Sequence, residues 1–283
     1  MHPFMKYALP VLLFLLAVSC METAQTQPGP AVALASVDSL PAPRPVAVAQ
    51  PDTSGPPRRH LEFSIEYLTG KFDPASHPDF VKVDPRYADG EGYYLRRDTY
   101  ESFRKMWEAA KAAGIQLTII SATRNFERQK QIWEAKWTGG RPIENGANAA
   151  RKYPNPKTRA LKILEYSSMP GTSRHHWGTD IDLNDLDNYT FEQGKGKEVY
   201  DWLQQHAAEY GFCQPYSVKG EERPHGYNEE KWHWSYMPVS RQLTELASRR
   251  FRDQMISGFA GAETAIEIGV VEKYVLGINQ ACK

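Results

Sequence analysis

The sequence has no net charge to offer an electrostatic partner, few cysteines and no apolar run of membrane-spanning length. Lys+Arg and Asp+Glu both number 34 in 283 residues, so nothing draws the chain to nucleic acid or, by charge alone, to anionic lipid. The apolar run from Ala8 to Val18 is too short to span a bilayer as a mature helix and fits the core of a secretory signal. Residues 21–58 contain eight prolines and no Phe, Tyr, Trp or Ile. Such a stretch cannot bury enough apolar surface to offset its ordering entropy. A disordered Pro-rich linker is therefore expected there, with the globular part starting near His60. No internal repeat is visible, and the remaining length suits one large domain or two small ones.

The three cysteines divide by position. Ala17-Val18-Ser19-Cys20 resembles a bacterial lipobox, in which the cysteine is lipidated and becomes the mature N-terminus; a conventional signal peptidase site is the alternative. Both readings make residues 1–20 a signal and export the protein. The lipobox implies a lipid anchor on Cys20, attachment to a membrane and a place in the bacterial cell envelope. The linker, at ~3 Å per residue, would then let the domain reach roughly 100 Å outward. In an oxidising compartment Cys213 and Cys282 can pair, two free buried thiols being the alternative.

Apolar residues Tyr100, Phe103, Met106, Trp107 and Ala110 recur at helical spacing between Arg97 and a stop at Gly114. Residues 115–121, IQLTIIS, read as a buried strand, followed by a helix from Phe126 to Trp137. Asn145 to Lys157 reads as a loop, and a short helix from Thr158 to Tyr166 leads into Pro170-Gly171. Thr179 to Asn184 alternates as a strand. A helix ending at Gly211 places His206 on its apolar face, as a core residue. Trp232, Trp234 and Tyr236 mark a strand within 230–238, and the chain is helical again from Ser240. Helices flanking a small sheet define an α+β domain.

The stretch SRHHWGTDID, residues 173–182, concentrates metal-binding chemistry. A catalytic metal site usually offers three protein ligands and leaves a position open for water. On a strand Asp180 and Asp182 share a face. His175 with Asp182 ranks modestly above His176 with Asp180, since His176 lies seven before Leu183, which ligates nothing; Gly178 permits a tight loop into the strand. Glu230 and His233 are three apart and reach one cleft if Glu230 lies in a turn before the strand.

Together these segments resemble the D-alanyl-D-alanine carboxypeptidases and dipeptidases of the VanY/VanX type, within the larger group of hedgehog-like and lysostaphin-like zinc peptidases. The family pattern Ser-x-His-x-x-Gly-x-Ala-x-Asp, followed by Glu-x-Trp-His, falls on Ser173, His175, Gly178, Asp182, Glu230, Trp232 and His233. Ser121-Ala122-Thr123-Arg124 is similar to the family's Ser-Gly-Tyr-Arg, with Gln129 where the family has a glutamine. Asp180 departs, standing where a small residue is usual. It would bind metal weakly, orient a ligand, or make the site more electronegative.

The resemblance covers about residues 60–245. It implies a small, mostly antiparallel sheet flanked by helices in a catalytic domain over 59–250, with a helical extension over 251–283. It implies one Zn²⁺ per chain on His175, Asp182 and His233, with Glu230 as general base and Arg124 stabilising the oxyanion. Ser173, Gln129 and Trp232 are the expected substrate contacts, and His176 a residue behind the ligands or on the surface. The expected reaction is removal of the terminal D-alanine from a peptidoglycan stem peptide by a monomer. An endopeptidase of the same fold and a zinc-holding wall-binding module are the competing readings.

Overall fold

The computed structural model describes residues 62–283, Asn145 excepted; the signal, Cys20 and the Pro-rich linker lie outside the described residues. The helices are α1 (Ile65–Leu68), α2 (Arg97–Ala112), α3 (Phe126–Trp137), α4 (Ala149–Lys152), α5 (Pro156–Ile163), α6 (Gly194–His206), α7 (Met237–Arg250) and α8 (Thr264–Ile268). The strands are β1 (Phe80–Lys82), β2 (Tyr94–Arg96), β3 (Ile119–Ser121), β4 (Asp180–Leu183), β5 (Phe212–Cys213) and β6 (His233–Tyr236). β1 and β2 form an antiparallel ribbon, and the other four make an antiparallel sheet in the order β3-β4-β6-β5. The fold is the α+β class with a small antiparallel sheet between helices.

Period-two alternation gives the four-stranded sheet two unlike faces. Ile181 and Leu183 of β4 and Trp234 of β6 enter one core with Phe103 and Met106 of α2 and Leu203 of α6. The opposite face carries Asp180 and Asp182 opposite Ser235 and His233, paired Asp180↔Ser235 and Asp182↔His233. An irregularity in β3 moves the pairing from Ile119↔Leu183 to Ser121↔Asp182. The extra residue brings Ser121 alongside Asp182 although Ile119 is a core residue.

Several elements differ from their sequence expectations for local reasons. Only Ile119–Ser121 of the expected 115–121 strand pairs, because the Asn184 side chain takes over earlier in the segment. It accepts from Thr118 N at 3.0 Å and donates to Gln116 O at 2.8 Å. The expected loop 145–157 contains α4, capped by Asn148, and α5 starts at Pro156 behind the Asn155 cap rather than at Thr158. His206 is not a core residue: it is 40% exposed, pairs with Glu209 at 2.9 Å and lies against Trp202.

The segment after α7 is not a single helical extension but a string of short turns with α8 and the π-turn Val271–Val275 between them. Phe251, Phe259, Ile268, Val275 and Ile278 share a second core with Trp133 of α3, Ile163 of α5 and Leu243 of α7. The tail closes with a disulfide between Cys213 and Cys282 and a bond from Asn279 N to Pro215 O at 2.8 Å. That bridge corrects the lipid-anchor expectation and the membrane attachment and envelope address built on it. Both described cysteines are joined to each other, so neither carries a lipid, and Cys20 lies outside the described residues. Among the described residues no helix is long and apolar enough to cross a membrane.

Candidate metal centre and catalytic cleft

A short 3₁₀ turn, Arg174–Trp177, delivers His175 to the sheet and ends at Gly178, whose φ is +73°. A Cβ at Gly178 would collide with the Phe80 ring, so glycine is required for both the left-handed turn and the close approach. β4 then supplies Asp182 and β6 supplies His233 from the paired position. One ligand atom from each of His175, Asp182 and His233 lies within 4.8 Å of the others, and all three residues are buried.

The partners of each imidazole fix which nitrogen is free. His175 donates from Nδ1 to Ala122 O at 2.8 Å, leaving Nε2 3.2 Å from Asp182 Oδ2. His233 donates from Nε2 to Asp180 Oδ1 at 2.9 Å, leaving Nδ1 3.0 Å from Asp182 Oδ1. Asp182 Oδ1 is buried without a hydrogen-bond partner among the described residues. Converging lone pairs with no proton donor among them are what a cation satisfies. Two imidazoles and a carboxylate form a donor set suited to Zn²⁺ with a fourth position left for water.

The local electrostatics set the charge of each ligand. Burial lowers the His175 pKa, and Arg124 adds to this, keeping the ring neutral and able to ligate. Burial alone would raise the Asp182 carboxyl, but His175 and His233 hold it well below the usual range. Burial would lower His233, yet Asp180, Asp182 and Glu230 drive it well above its ordinary value, so a proton and a cation compete for its Nδ1. The three carboxylates surrounding one imidazole carry more negative charge than the ring alone balances.

Asp180 stands behind this centre. Its Oδ1 accepts from Arg174 Nε at 3.0 Å and from His233; its Oδ2 accepts from Ser235 Oγ at 3.0 Å and from Thr179 Oγ1. Arg174 also donates to Ser235 Oγ at 2.7 Å and Thr244 Oγ1 at 3.0 Å, and lies over the Trp177 ring. Burial would raise the Asp180 carboxyl, but Arg174 and then His233 hold it far below the usual range. Of the three roles open to Asp180 from sequence, the geometry selects orientation of His233. Arg174 and Ser235 were not singled out in the sequence; an arginine next to the ligand histidine, with a serine two after His233, was the available signal.

Glu230 precedes β6 in a turn, with His233 N donating to Glu230 O at 3.3 Å and Glu230 Oε2 lying 3.4 Å from His233 Nδ1. Burial raises its pKa, partly offset by His233. Arg124 lies 3.6 Å from Asp182 Oδ2 and is held by Ser121 Oγ at 2.6 Å and Gln129 Oε1 at 3.1 Å. Gln129 donates its other end to Ser168 O at 2.8 Å. Both ends of that amide are engaged, so Gln129 positions Arg124 rather than presenting a free group to substrate. Ser173 Oγ is buried with no partner among the described residues, and Trp232 is 6% exposed and stacks on Tyr166. His176 is fully buried, donating from Nδ1 to Arg124 O at 2.5 Å and accepting from Gly171 N at 3.0 Å.

Ser121, Arg124, Gln129, Ser173, Trp232, Glu230 and the three ligands line one cavity of about 610 Å³. A buried three-ligand centre beside a raised carboxyl group and a guanidinium, opening to a cavity, brings together the parts that metal-assisted hydrolysis requires. Residues 92–239 match the family model described as "VanY: D-alanyl-D-alanine carboxypeptidase", and the chain belongs to that family. It is 27% identical over 152 residues to a D-alanyl-D-alanine carboxypeptidase of Enterococcus faecalis (strain ATCC 700802 / V583), covering 54% of this chain and 51% of that protein. The chain thus spans about half the length of the curated relatives it matches. Among solved structures it is similar to VanYB in complex with D-alanine-D-alanine, with a TM-score of 0.42, 23% identity and coverage of 62% and 86%. It is also similar to the LdcB LD-carboxypeptidase, with a TM-score of 0.45, 21% identity and coverage of 72% and 81%.

Proposed function

We propose that the protein is a zinc-dependent carboxypeptidase that removes the terminal D-alanine from peptidoglycan stem peptides. The observation that carries this reading is Glu230: a buried carboxyl group with a raised pKa, 3.4 Å from the free nitrogen of a metal ligand and lining the cavity. His175, Asp182 and His233 would hold Zn²⁺, which would supply a water of lowered pKa and a Lewis acid for the carbonyl. Glu230 takes the proton from the attacking water and passes it to the departing amine, the two halves of general base and acid catalysis. Arg124, locked by Ser121 and Gln129, donates to the oxygen on which negative charge develops. Asp180 keeps the His233 proton on Nε2, so that Nδ1 remains a ligand. The Cys213–Cys282 bridge supports an oxidising compartment, where wall peptides are accessible.

The test is product analysis with the zinc-loaded protein and a stem pentapeptide ending in D-Ala-D-Ala, alongside Glu230→Ala. Release of D-alanine by the parent and not by the variant is expected. Internal fragments would move the assignment to an endopeptidase. Intact peptide with zinc bound would defeat the catalytic reading and leave a binding module.

A further inference from the structure

α3 turns Gln129, Trp133, Lys136 and Trp137 inward. The tryptophans enter the core, whereas Gln129 and Lys136 line the same cavity as the metal centre. Gln129 holds Arg124; Lys136 has no part in the hydrolysis. Seven residues separate the two, about two turns and ~10 Å of helix. A lysine is rarely buried without a paired function, and Lys136 keeps only 4% of its surface. Its Nζ donates to Ser167 Oγ at 2.6 Å and pairs with Glu144, which is 35% exposed and lies between α3 and α4. Arg141 is close enough to act on the Lys136 charge and lines the same part of the molecule. Outside the metal centre and Glu230, the cavity carries the cations Arg124, Arg128, Lys136 and Arg141 against the anions Glu91 and Glu144.

Resting on the peptidase reading, we propose that Lys136, with Arg141 beside it, recognises a second carboxylate of the peptide substrate, other than that of the released residue. Glu144 occupies that place in the free protein and yields it when substrate arrives. Arg124, the cation beside the ligands, is held by Gln129, and Lys136 stands about two turns further along the same helix as Gln129. The site therefore selects peptides with a second free acidic group and discriminates against their carboxamides, which keep the shape and lose the charge.

The test uses two pairs of stem pentapeptides ending in D-Ala-D-Ala. In one pair the second residue carries a free carboxylate or its carboxamide; in the other the third residue's side chain does. Binding is measured by calorimetry on zinc-loaded, full-length Glu230→Ala, and kcat/KM on the parent. In one pair the carboxylate form should bind about tenfold or more tighter, the range of one charge-assisted hydrogen bond. Adding Lys136→Gln should reduce that preference to within about twofold. Glu144→Gln should tighten the carboxylate peptide and leave its carboxamide unchanged, and it decides the matter alone if Lys136→Gln fails to fold. Equal affinities within both pairs, or a preference that survives Lys136→Gln, would overturn the proposal. Discrimination in binding with no D-alanine released by the parent would instead sink the peptidase reading and leave the subsite standing.

Discussion

The sheet-side wall of the cavity and the α3-side wall differ in how their polar groups are satisfied. On the sheet side, Arg174, His175, Asp180, Asp182, His233 and Ser235 are all at most 4% exposed. Arg174, Ser235 and His233 are joined side chain to side chain through Asp180, and His175 is held by Ala122 O, which leaves the ligand atoms facing one another. On the α3 side, Arg124 keeps 23% of its side chain exposed, and Lys136 is paired to a partner that is itself 35% exposed. A metal centre requires fixed donors, because a small displacement of a ligand changes its affinity. A peptide subsite requires groups that can change partner. The fold meets the first need with strand-paired residues and the second with a helix face and the loop after it.

The largest expected effects break the sheet side at the ligands. Asp182→Asn should abolish stoichiometric zinc binding, measured by metal analysis after dialysis, and with it the activity. Glu230→Gln should keep its zinc and lose ~10²–10⁴ in kcat. Loss of zinc in Glu230→Gln would place Glu230 among the ligands instead. Asp180→Asn probes the layer behind: zinc affinity should fall ~10–100-fold, since the carboxylate orients His233. Because Arg174 would be left as a buried, under-compensated charge, unfolding stability should drop by about 3–5 kcal/mol. A variant with unchanged zinc affinity would contradict the orienting role.

The tail provides the next contrast, since it is tied to β5 at the edge of the sheet rather than to the ligands. The Cys213–Cys282 bridge closes a separation of 69 residues, and replacing both by serine should cost about 2–5 kcal/mol in stability. Zinc affinity at 25 °C should remain within a few-fold of the parent. A large loss of zinc would mean that the tail positions the centre and not only the second core.

The sequence made the centre legible because its ligands sit in two short segments with fixed spacing. His175, Asp182 and His233 are brought together as expected, and strand alternation already placed Asp180 beside Asp182. The three-residue step from Glu230 to His233 works because a turn, not a strand, joins them. Other features depend on tertiary partners invisible along the chain. Gln129 matches a family position, yet its amide is consumed by Arg124 and Ser168. Nothing along the chain separates Lys136 from Lys130 of the same helix; only the cavity does. His206 has core periodicity, but its helix ends there and Glu209 draws it outward. The tail's apolar residues resembled an appended helix because neither the disulfide's reach nor the shared core with α3, α5 and α7 has a sequence period.

The smallest expected effect separates His176 from the ligand beside it. Burial pushes its imidazole pKa down to about 3, and the hydrogen bonds to Arg124 O and Gly171 N use the neutral ring. An unfolded chain protonates this histidine near 6.5, so between pH 6.5 and about 3 the unfolded state binds a proton that the folded state refuses. Stability therefore rises with pH across that window and is lost as pH falls through it. Asn can retain the donor toward Arg124 O but cannot titrate. Comparing urea midpoints with zinc chelated, the parent should lose roughly 1–2 kcal/mol more than His176→Asn between pH 7 and pH 5. His175 and His233 titrate in both proteins and largely cancel from that difference. Parallel pH profiles would mean that the folded protein accepts a proton on His176. Its Nε2 would then be unable to accept from Gly171, and the turn that presents His175 would be supported in some other way.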